Sequence, residues 1–221
     1  MSAQELKELF AILVVLVFSL SLHEVAHGWT ALKCGDPTAR DEGRITLNPL
    51  PHIDFVQTIL LPAFVWFASK GTMIFGGARP VPVDFHRLRH PWRDMALVAV
   101  AGPATNALLA VGFYTLLKAG LHAGLYERMP RLDDMLRTAF QFNVLLAVFN
   151  LLPIPPLDGS RVAAWLLPDG LRPAYLALER MGLVLVIVLV FWVPPVRRLV
   201  EHGTDLMAAA IEQIVSLGGA W

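Results

Sequence analysis

The stretch Ser19-Leu20-Ser21-Leu22-His23-Glu24-Val25-Ala26-His27-Gly28, residues 19–28, places an H-E-x-x-H motif inside an apolar segment. The apolar run before the motif, Leu9 to Leu22, is too short to cross a bilayer, because crossing takes about 20 residues. If the run continues through the motif to Leu32, a helix covers about 36 Å, which exceeds a hydrocarbon core of about 30 Å. The sequence therefore predicts a first membrane span over residues 9–32, with the motif within it.

The composition of the 221-residue chain is that of a membrane protein. Hydrophobic residues make up 56% of the chain and charged residues 16%, whereas a soluble domain carries roughly 25% charged residues. The mean hydropathy is +0.57. The formal net charge is zero, so we expect no nucleic-acid partner. The single cysteine, Cys34, excludes an internal disulfide.

Apolar runs and helix breakers divide the rest of the chain into further segments. The predicted segments are a turn and strand region at 35–55, a candidate re-entrant segment at 53–69, spans at 95–117, 135–152 and 177–193, and an amphipathic tail at 199–221. The alternation in Arg44-Ile45-Thr46-Leu47 favours a small membrane-associated β hairpin after the first span. The tail predicts a helix on the membrane surface. We therefore expect one all-α polytopic membrane domain, residues 1–221, with five to six membrane segments.

Basic residues near the span ends predict the orientation of the chain. The loop Arg79–Arg93 carries four arginines and is the strongest cytoplasmic signal. It places both flanks of the 53–69 segment on the cytoplasmic side, which favours re-entry over a full span. The same orientation places His23, His27 and Asp158 at a similar depth in the membrane. The prediction is a multi-pass protein of the cell (inner) membrane whose active site lies toward the cytoplasm.

The motif supplies part of a metal site. His23 and His27 are four residues apart, so on a helix they share one face and can reach one metal ion. Two neutral imidazoles suit Zn²⁺, and Glu24 stands where metallopeptidases with this motif carry their general base. Ionisable residues inside an apolar span are costly to accommodate, which indicates a functional site.

A catalytic zinc site needs a third protein ligand, and Asp158 is the best candidate. It follows a span end that is broken by Pro153-Ile154-Pro155-Pro156. On spacing alone, a turn aspartate in Leu157-Asp158-Gly159 is an equally good interpretation. Asn106 and Asn150 are amides within apolar spans and could bind substrate or stabilise an oxyanion, but hydrogen bonding between helices is the simpler interpretation of both.

Three stretches occur in the order His23-Glu24-Val25-Ala26-His27-Gly28, Ala101-Gly102-Pro103-Ala104-Thr105-Asn106 and Asn150-Leu151-Leu152-Pro153-Ile154-Pro155-Pro156-Leu157-Asp158-Gly159. Together they resemble the site-2 protease family of intramembrane zinc metallopeptidases, in its short bacterial form without a PDZ domain. The segments Gly43–Pro49 and Arg79–Val83 also resemble short bacterial members. The resemblance covers nearly the whole chain.

The resemblance implies a complete active site: zinc ligands His23, His27 and Asp158, the general base Glu24, and two active-site amides, Asn106 and Asn150. It implies one Zn²⁺ per chain and an endopeptidase that cleaves peptide bonds in or near transmembrane helices of membrane-protein substrates. The lipid bilayer is the other expected partner, and the oligomeric state is not indicated. The 35–55 region would match membrane-associated strands that handle the unwound substrate.

Two alternatives stay open at this point. A membrane metal-binding or metal-transport protein would also need the buried histidines and Asp158, but it would not need Glu24. Transporters usually show repeated halves, and this sequence has none. A proteolytically silent membrane scaffold could use the same fold, although it would be free to lose the intact motif.

Overall fold

The computed structural model describes residues 3–68, 70 and 76–218, and every regular element in these ranges is helical. The α-helices are, in chain order, α1 (Ala3–Cys34), α2 (Thr38–Asp41), α3 (Leu61–Ala68), α4 (Pro91–His122), α5 (Leu125–Arg128), α6 (Pro130–Asn150), α7 (Gly159–Leu166), α8 (Arg172–Ala177), α9 (Gly182–Trp192) and α10 (Pro194–Gly218). Short 3-10 turns lie at Leu50–His52, Phe85–Arg87 and Leu178–Met181, and a π-helical turn at Phe55–Leu60 leads into α3. The predicted all-α class is confirmed.

The centre of the fold is a bundle in which α4 packs against both α1 and α6. The short helix α7 also packs on α4, which brings the segment after the proline-broken end of α6 back to the bundle. One core cluster joins α4, α6 and α10 through Ala110, Tyr114, Leu117, Leu136, Phe140, Val144, Ile211 and Val215. The long middle helix α4 therefore contacts α1, α6 and α7, the helices that contribute to the site described below.

Two helices in the described part of the chain are long and apolar enough to cross a membrane, Leu9–Cys34 and Pro91–His122. They confirm the spans predicted near 9–32 and 95–117. A third span results if Arg172–Met181 and Val184–Val190, which meet at an angle of 91°, are counted as one. The expected five to six membrane segments find no support. One reason is that α6 begins with a charged stretch, Arg131 to Arg137, which lowers its apolar character.

The β hairpin predicted after the first span is wrong. The N–H of Asn48 donates to Thr46 Oγ1 (3.2 Å), and the N–H of Leu50 donates to Asn48 Oδ1 (3.1 Å). Side chains thus occupy backbone groups that a strand ladder would use. Pro49 and Pro51 have no N–H to donate to a ladder. The region forms α2 and a 3-10 turn instead.

The last two predicted segments differ in outcome. Phe55–Ala68 is an apolar helix shorter than a membrane span; Ser69 lies outside the described residues, and re-entry of 53–69 stays a prediction. The helix predicted for the tail is present as α10, and its inner face packs on α6 and α4 through Ile211 and Val215. The position of this helix on the membrane surface stays a prediction. Residues 219–221 lie outside the described part.

Candidate metal centre

His23 and His27 lie one turn apart on α1 and face Asp158 at the start of α7. His23 Nε2 is 3.0 Å from His27 Nε2 and 3.1 Å from Asp158 Oδ2. His27 Nε2 is 3.4 Å from Asp158 Oδ1. The two imidazoles are buried, with 4% and 8% of their residue surface exposed. The structure thus brings the three predicted metal ligands, 135 positions apart at the extremes, into one cluster.

The donor set and its spacing fit a zinc ion. Ligand atoms bound to zinc at 2.0–2.1 Å in a tetrahedron lie about 3.3 Å from one another, and the three distances above span 3.0–3.4 Å. Asp158 Oδ2 is buried and accepts no hydrogen bond, although His23 Nε2 is close. A buried carboxylate oxygen without a donor is costly unless a cation is bound nearby. Two imidazole nitrogens and one carboxylate are also the ligand types of catalytic zinc sites.

The outer nitrogens of both imidazoles are held by acceptors. His27 Nδ1 lies 2.7 Å from the carbonyl oxygen of Val98, and His23 Nδ1 lies 2.5 Å from Asn106 Oδ1. Both acceptors belong to α4, and both call for a proton on Nδ1. In the neutral imidazoles the Nε2 lone pairs therefore point into the cluster, which is the state in which histidine binds a metal.

Two glycines allow the backbone to approach the cluster closely. A Cβ atom at Gly102 of α4 would lie 2.5 Å from His23 Cε1 and 2.6 Å from His27 Cε1. A Cβ atom at Gly159, directly after Asp158, would lie 2.2 Å from the carbonyl oxygen of Leu151. A side chain at Gly102 would displace the two histidines, and one at Gly159 would collide with the backbone at Leu151, next to Asp158 in the chain.

Glu24 is half-buried on α1, and its carboxylate is oriented by a distant backbone segment. Glu24 Oε2 accepts a hydrogen bond from the N–H of Val81 (2.7 Å). The guanidinium of buried Arg44 holds the same segment by donating from Nη2 to the carbonyl oxygens of Arg79 (2.8 Å) and Pro80 (3.3 Å). The predicted general base is thus fixed in direction by the stretch 79–83.

The predicted amides occupy different surroundings. Asn106 is fully buried and bonds His23, so its contact is with a predicted ligand. The amide of Asn150 donates to the Leu146 carbonyl oxygen of its own helix (3.1 Å), and its catalytic role stays a prediction. Our sequence reasoning missed Asn143, which is fully buried and bonds Asn106. The sequence feature that could have identified Asn143 is a polar amide within the predicted apolar span 135–152.

His23, Glu24 and His27 lie on a helix that is apolar and long enough for a bilayer, and Asp158 completes a His-His-Asp cluster beside them; this combination defines a membrane-embedded metalloprotease. The family model described as Peptidase family M50 matches residues 11–129. The chain belongs to this family, the site-2 proteases.

Several similar proteins have names that describe zinc metalloproteases. "Putative zinc metalloprotease YwhC" of Bacillus subtilis is 38% identical over 183 residues, which cover 80% of this chain and 78% of that protein. "Putative zinc metalloprotease Rip2" of Mycolicibacterium smegmatis is 33% identical over 176 residues, which cover 78% of this chain and 63% of that protein. "Putative zinc metalloprotease MJ0611" of Methanocaldococcus jannaschii is 38% identical over 68 residues, 31% of this chain and 32% of that protein. No solved structure matches the chain significantly.

These comparisons confirm three predictions. The chain is a site-2 protease family member, it is a zinc metalloprotease, and its cofactor is Zn²⁺. The apolar helices and the family together make it a membrane protein.

Proposed function

We propose that the chain is an intramembrane zinc endopeptidase that hydrolyses peptide bonds in or near transmembrane helices of membrane-protein substrates. The observation that carries the proposal is the position of the His23, His27 and Asp158 cluster. Two of its members lie within Leu9–Cys34, a helix that is long and apolar enough to cross a bilayer. A scissile bond must therefore be brought to, or into, the membrane to reach the cluster.

In this proposal, His23, His27 and Asp158 hold one zinc ion per chain, and Glu24 is the general base. Zinc, when bound, supplies a Lewis acid that polarises the scissile carbonyl and makes a water easier to deprotonate. Glu24 takes a proton from the attacking water and delivers it to the departing amine nitrogen. The Val81 N–H holds one oxygen of Glu24, which leaves the other oxygen to transfer the proton. Asn150 is the proposed polar contact for the substrate backbone.

The proposed location is the inner membrane, with several spans and with the active site toward the cytoplasm. Support comes from the arginines of the Arg79–Arg93 loop, which is adjacent to the site through the contact between Val81 and Glu24. The proposed partners are transmembrane substrates and the bilayer. Labelling of Cys34, the single cysteine, by a membrane-impermeant thiol reagent in intact cells tests the orientation. Labelling from the outside contradicts the proposed side, and labelling only after cell lysis supports it.

The activity is tested by replacing the base alone. Glu24→Gln keeps the size of the side chain and its acceptor oxygen but removes the basic carboxylate, so cleavage should fall by roughly 10²–10⁴-fold. Zinc content should stay at the wild-type value, because Glu24 is not a proposed ligand. The matched control is Glu42→Gln, an exposed acid. Membrane proteomes of cells with each variant are compared, and a substrate should accumulate only with Glu24→Gln.

The outcome also separates the alternative functions. If no membrane protein accumulates with Glu24→Gln and purified wild-type protein moves zinc into proteoliposomes as fast as Glu24→Gln, the chain is a transporter. If His23→Ala also leaves the membrane proteome unchanged, the chain is a silent scaffold. Either result would overturn the proposed proteolysis.

Helical substrates must unwind before cleavage, because their backbone carbonyls are bonded within the helix and shielded. Helix-breaking residues near the scissile bond should therefore speed cleavage. The comparison is between one membrane substrate carrying a Gly-Pro pair and the same substrate with a poly-leucine segment. Equal cleavage of both would count against unwinding as a required step.

A further inference from the structure

A row of buried polar side chains leads from α1 through α6 and α4 to the cluster. Ser19, Asn143 and Asn106 are each 0% exposed. Asn143 Nδ2 donates to Ser19 Oγ (2.8 Å), and Asn106 Nδ2 donates to Asn143 Oδ1 (2.9 Å). Asn106 Oδ1 then lies 2.5 Å from His23 Nδ1. The row ends at one predicted metal ligand and at no other.

The direction of every hydrogen bond in this row follows from one backbone carbonyl. Asn143 Nδ2 also donates to the carbonyl oxygen of Ala139 (2.8 Å), which can only accept. The nitrogen end of Asn143 must therefore face Ala139 and Ser19, and its oxygen end must face Asn106. Asn106 consequently turns its own nitrogen toward Asn143 and its oxygen toward His23.

The two histidines differ in how their protonation is set. The partner of His27 is the carbonyl oxygen of Val98, a backbone acceptor that cannot reverse its role. The partner of His23 is a side-chain amide, which could turn over and present its NH₂ group. A reversed amide would place the His23 proton on Nε2, the nitrogen that faces His27 and Asp158, and would close that nitrogen to a metal.

We propose that Asn143 is a positioning residue that holds the Asn106 amide in one orientation and thereby selects the Nδ1-protonated form of His23. Asn143 acts through Asn106 and does not touch the cluster itself. The inference rests on the proposed zinc site and adds a residue that acts on a zinc ligand through a second side chain. It predicts that zinc affinity depends on Asn143 because of the orientation of one amide, and not because of the volume that Asn143 fills.

The test is a set of zinc affinities measured by competition with a chromogenic chelator on purified, substrate-free protein. Asn143→Leu keeps the branching at Cγ but removes the amide and leaves Asn106 free to reverse, so zinc affinity should fall by roughly 10–100-fold, the usual effect of losing an outer partner of a metal ligand. Asn106→Asp combined with Asn143→Leu should recover affinity to within about threefold of wild type. A carboxylate has no donor end, so it needs nothing to orient it.

Ser19→Ala and Ser21→Ala form a matched pair on α1. Both remove a buried hydroxyl, but Ser21 Oγ donates to the Val17 carbonyl oxygen of its own helix and not to the row. Ser19→Ala should lower zinc affinity by roughly two- to tenfold, because Asn143 loses one of the two acceptors of its nitrogen end and keeps the Ala139 carbonyl, and Ser21→Ala should not lower it. This pair keeps the inference testable if Asn143→Leu does not fold.

Two results would overturn the inference: a zinc affinity for Asn143→Leu equal to that of wild type, or a double variant as weak as Asn143→Leu alone. The second would mean that Asn143 acts by packing. If Asn143→Leu does not fold, equal affinities for the Ser19 and Ser21 variants overturn the inference. Because no substrate is present, a wild-type protein that binds zinc but cleaves nothing would refute the proposed proteolysis and leave this inference standing.

Discussion

A methyl group at Gly102 of α4 should weaken zinc binding, because it would meet the rings of both histidines. In the structure, the added Cβ atom would lie 2.5 Å from His23 Cε1 and 2.6 Å from His27 Cε1. Ordinary carbon contacts are about 3.5–4.0 Å, so both rings would have to retreat by roughly 1 Å. Metal sites tolerate deviations of only about 0.2 Å in ligand distance. Gly102→Ala therefore forces the two proposed ligands out of their binding positions together.

The size of the loss in zinc affinity depends on whether the zinc-free or the zinc-bound protein carries the strain. Without zinc, the imidazoles can turn away from the methyl group, so the unbound protein avoids most of the clash. Zinc binding must pull them back, and overpacking of this kind costs about 1–3 kcal/mol. The expected loss of zinc affinity is roughly 5–150-fold. The stabilisation that zinc adds to thermal unfolding should shrink accordingly at a given zinc concentration.

Gly112→Ala is the matched control, since Gly112 lies on the same helix and a Cβ atom there meets nothing within 4 Å. Both variants make the same chemical change, so their difference isolates the contact with the imidazoles. The assay is chelator competition on the two purified variants, with the zinc-dependent shift in melting temperature as a second measurement. Equal zinc affinity for Gly102→Ala and Gly112→Ala would refute the argument that α4 shapes the site by close approach.

Two further predictions concern stability. Gly159→Ala would place a Cβ atom 2.2 Å from a rigid backbone carbonyl oxygen, so we expect the free energy of unfolding to fall by about 1–3 kcal/mol. Gly170→Ala is the control, because a Cβ atom there meets nothing within 4 Å and should cost no stability. Equal melting temperatures for the two variants would contradict this prediction. Burial alone would raise the pKa of Asp36, but hydrogen bonds from Thr38 and from the loop before α4 outweigh it and hold the pKa below its usual value. The contribution of Asp36 to stability is therefore complete at neutral pH and is lost as pH falls below about 4 and through the folded-state pKa. Asp36→Asn should lower stability at pH 7 and flatten its decline in acid, as measured by unfolding across this pH range; a pH profile like that of the exposed control Asp41→Asn would sink this prediction.

The β hairpin that the structure lacks and the packing of the tail were beyond the sequence for a common reason. The alternation at Arg44-Ile45-Thr46-Leu47 is a local pattern compatible with a strand, but side-chain hydrogen bonds around Asn48 decided the backbone there. The tail has an apolar face, and that face could be covered by lipid or by protein. Its packing on α6 and α4 depends on the surfaces of two helices that are distant from the tail in sequence. Patterns within one segment do not contain this information.

The amides show the same limit within the site. Apart from the resemblance that singles out Asn106 and Asn150, these two residues and Asn143 have the same local character, since each is an amide in an apolar segment. Only the packed structure separates them: one bonds a proposed ligand, one bonds that amide, and one bonds its own helix. The difference comes from the face of each helix that meets its neighbour, which is a property of the bundle.

By itself, the sequence determined the membrane character, the helical class and two of the three proposed metal ligands. Apolar composition and a four-residue spacing on a helix act over short distances, so they need no knowledge of the rest of the chain. Only the tertiary structure decided that Asp158 meets His23 and His27, that Val81 orients Glu24, and that α4 can approach both imidazoles at a glycine. These contacts join residues from separate helices and loops, so they exist only once the bundle has packed.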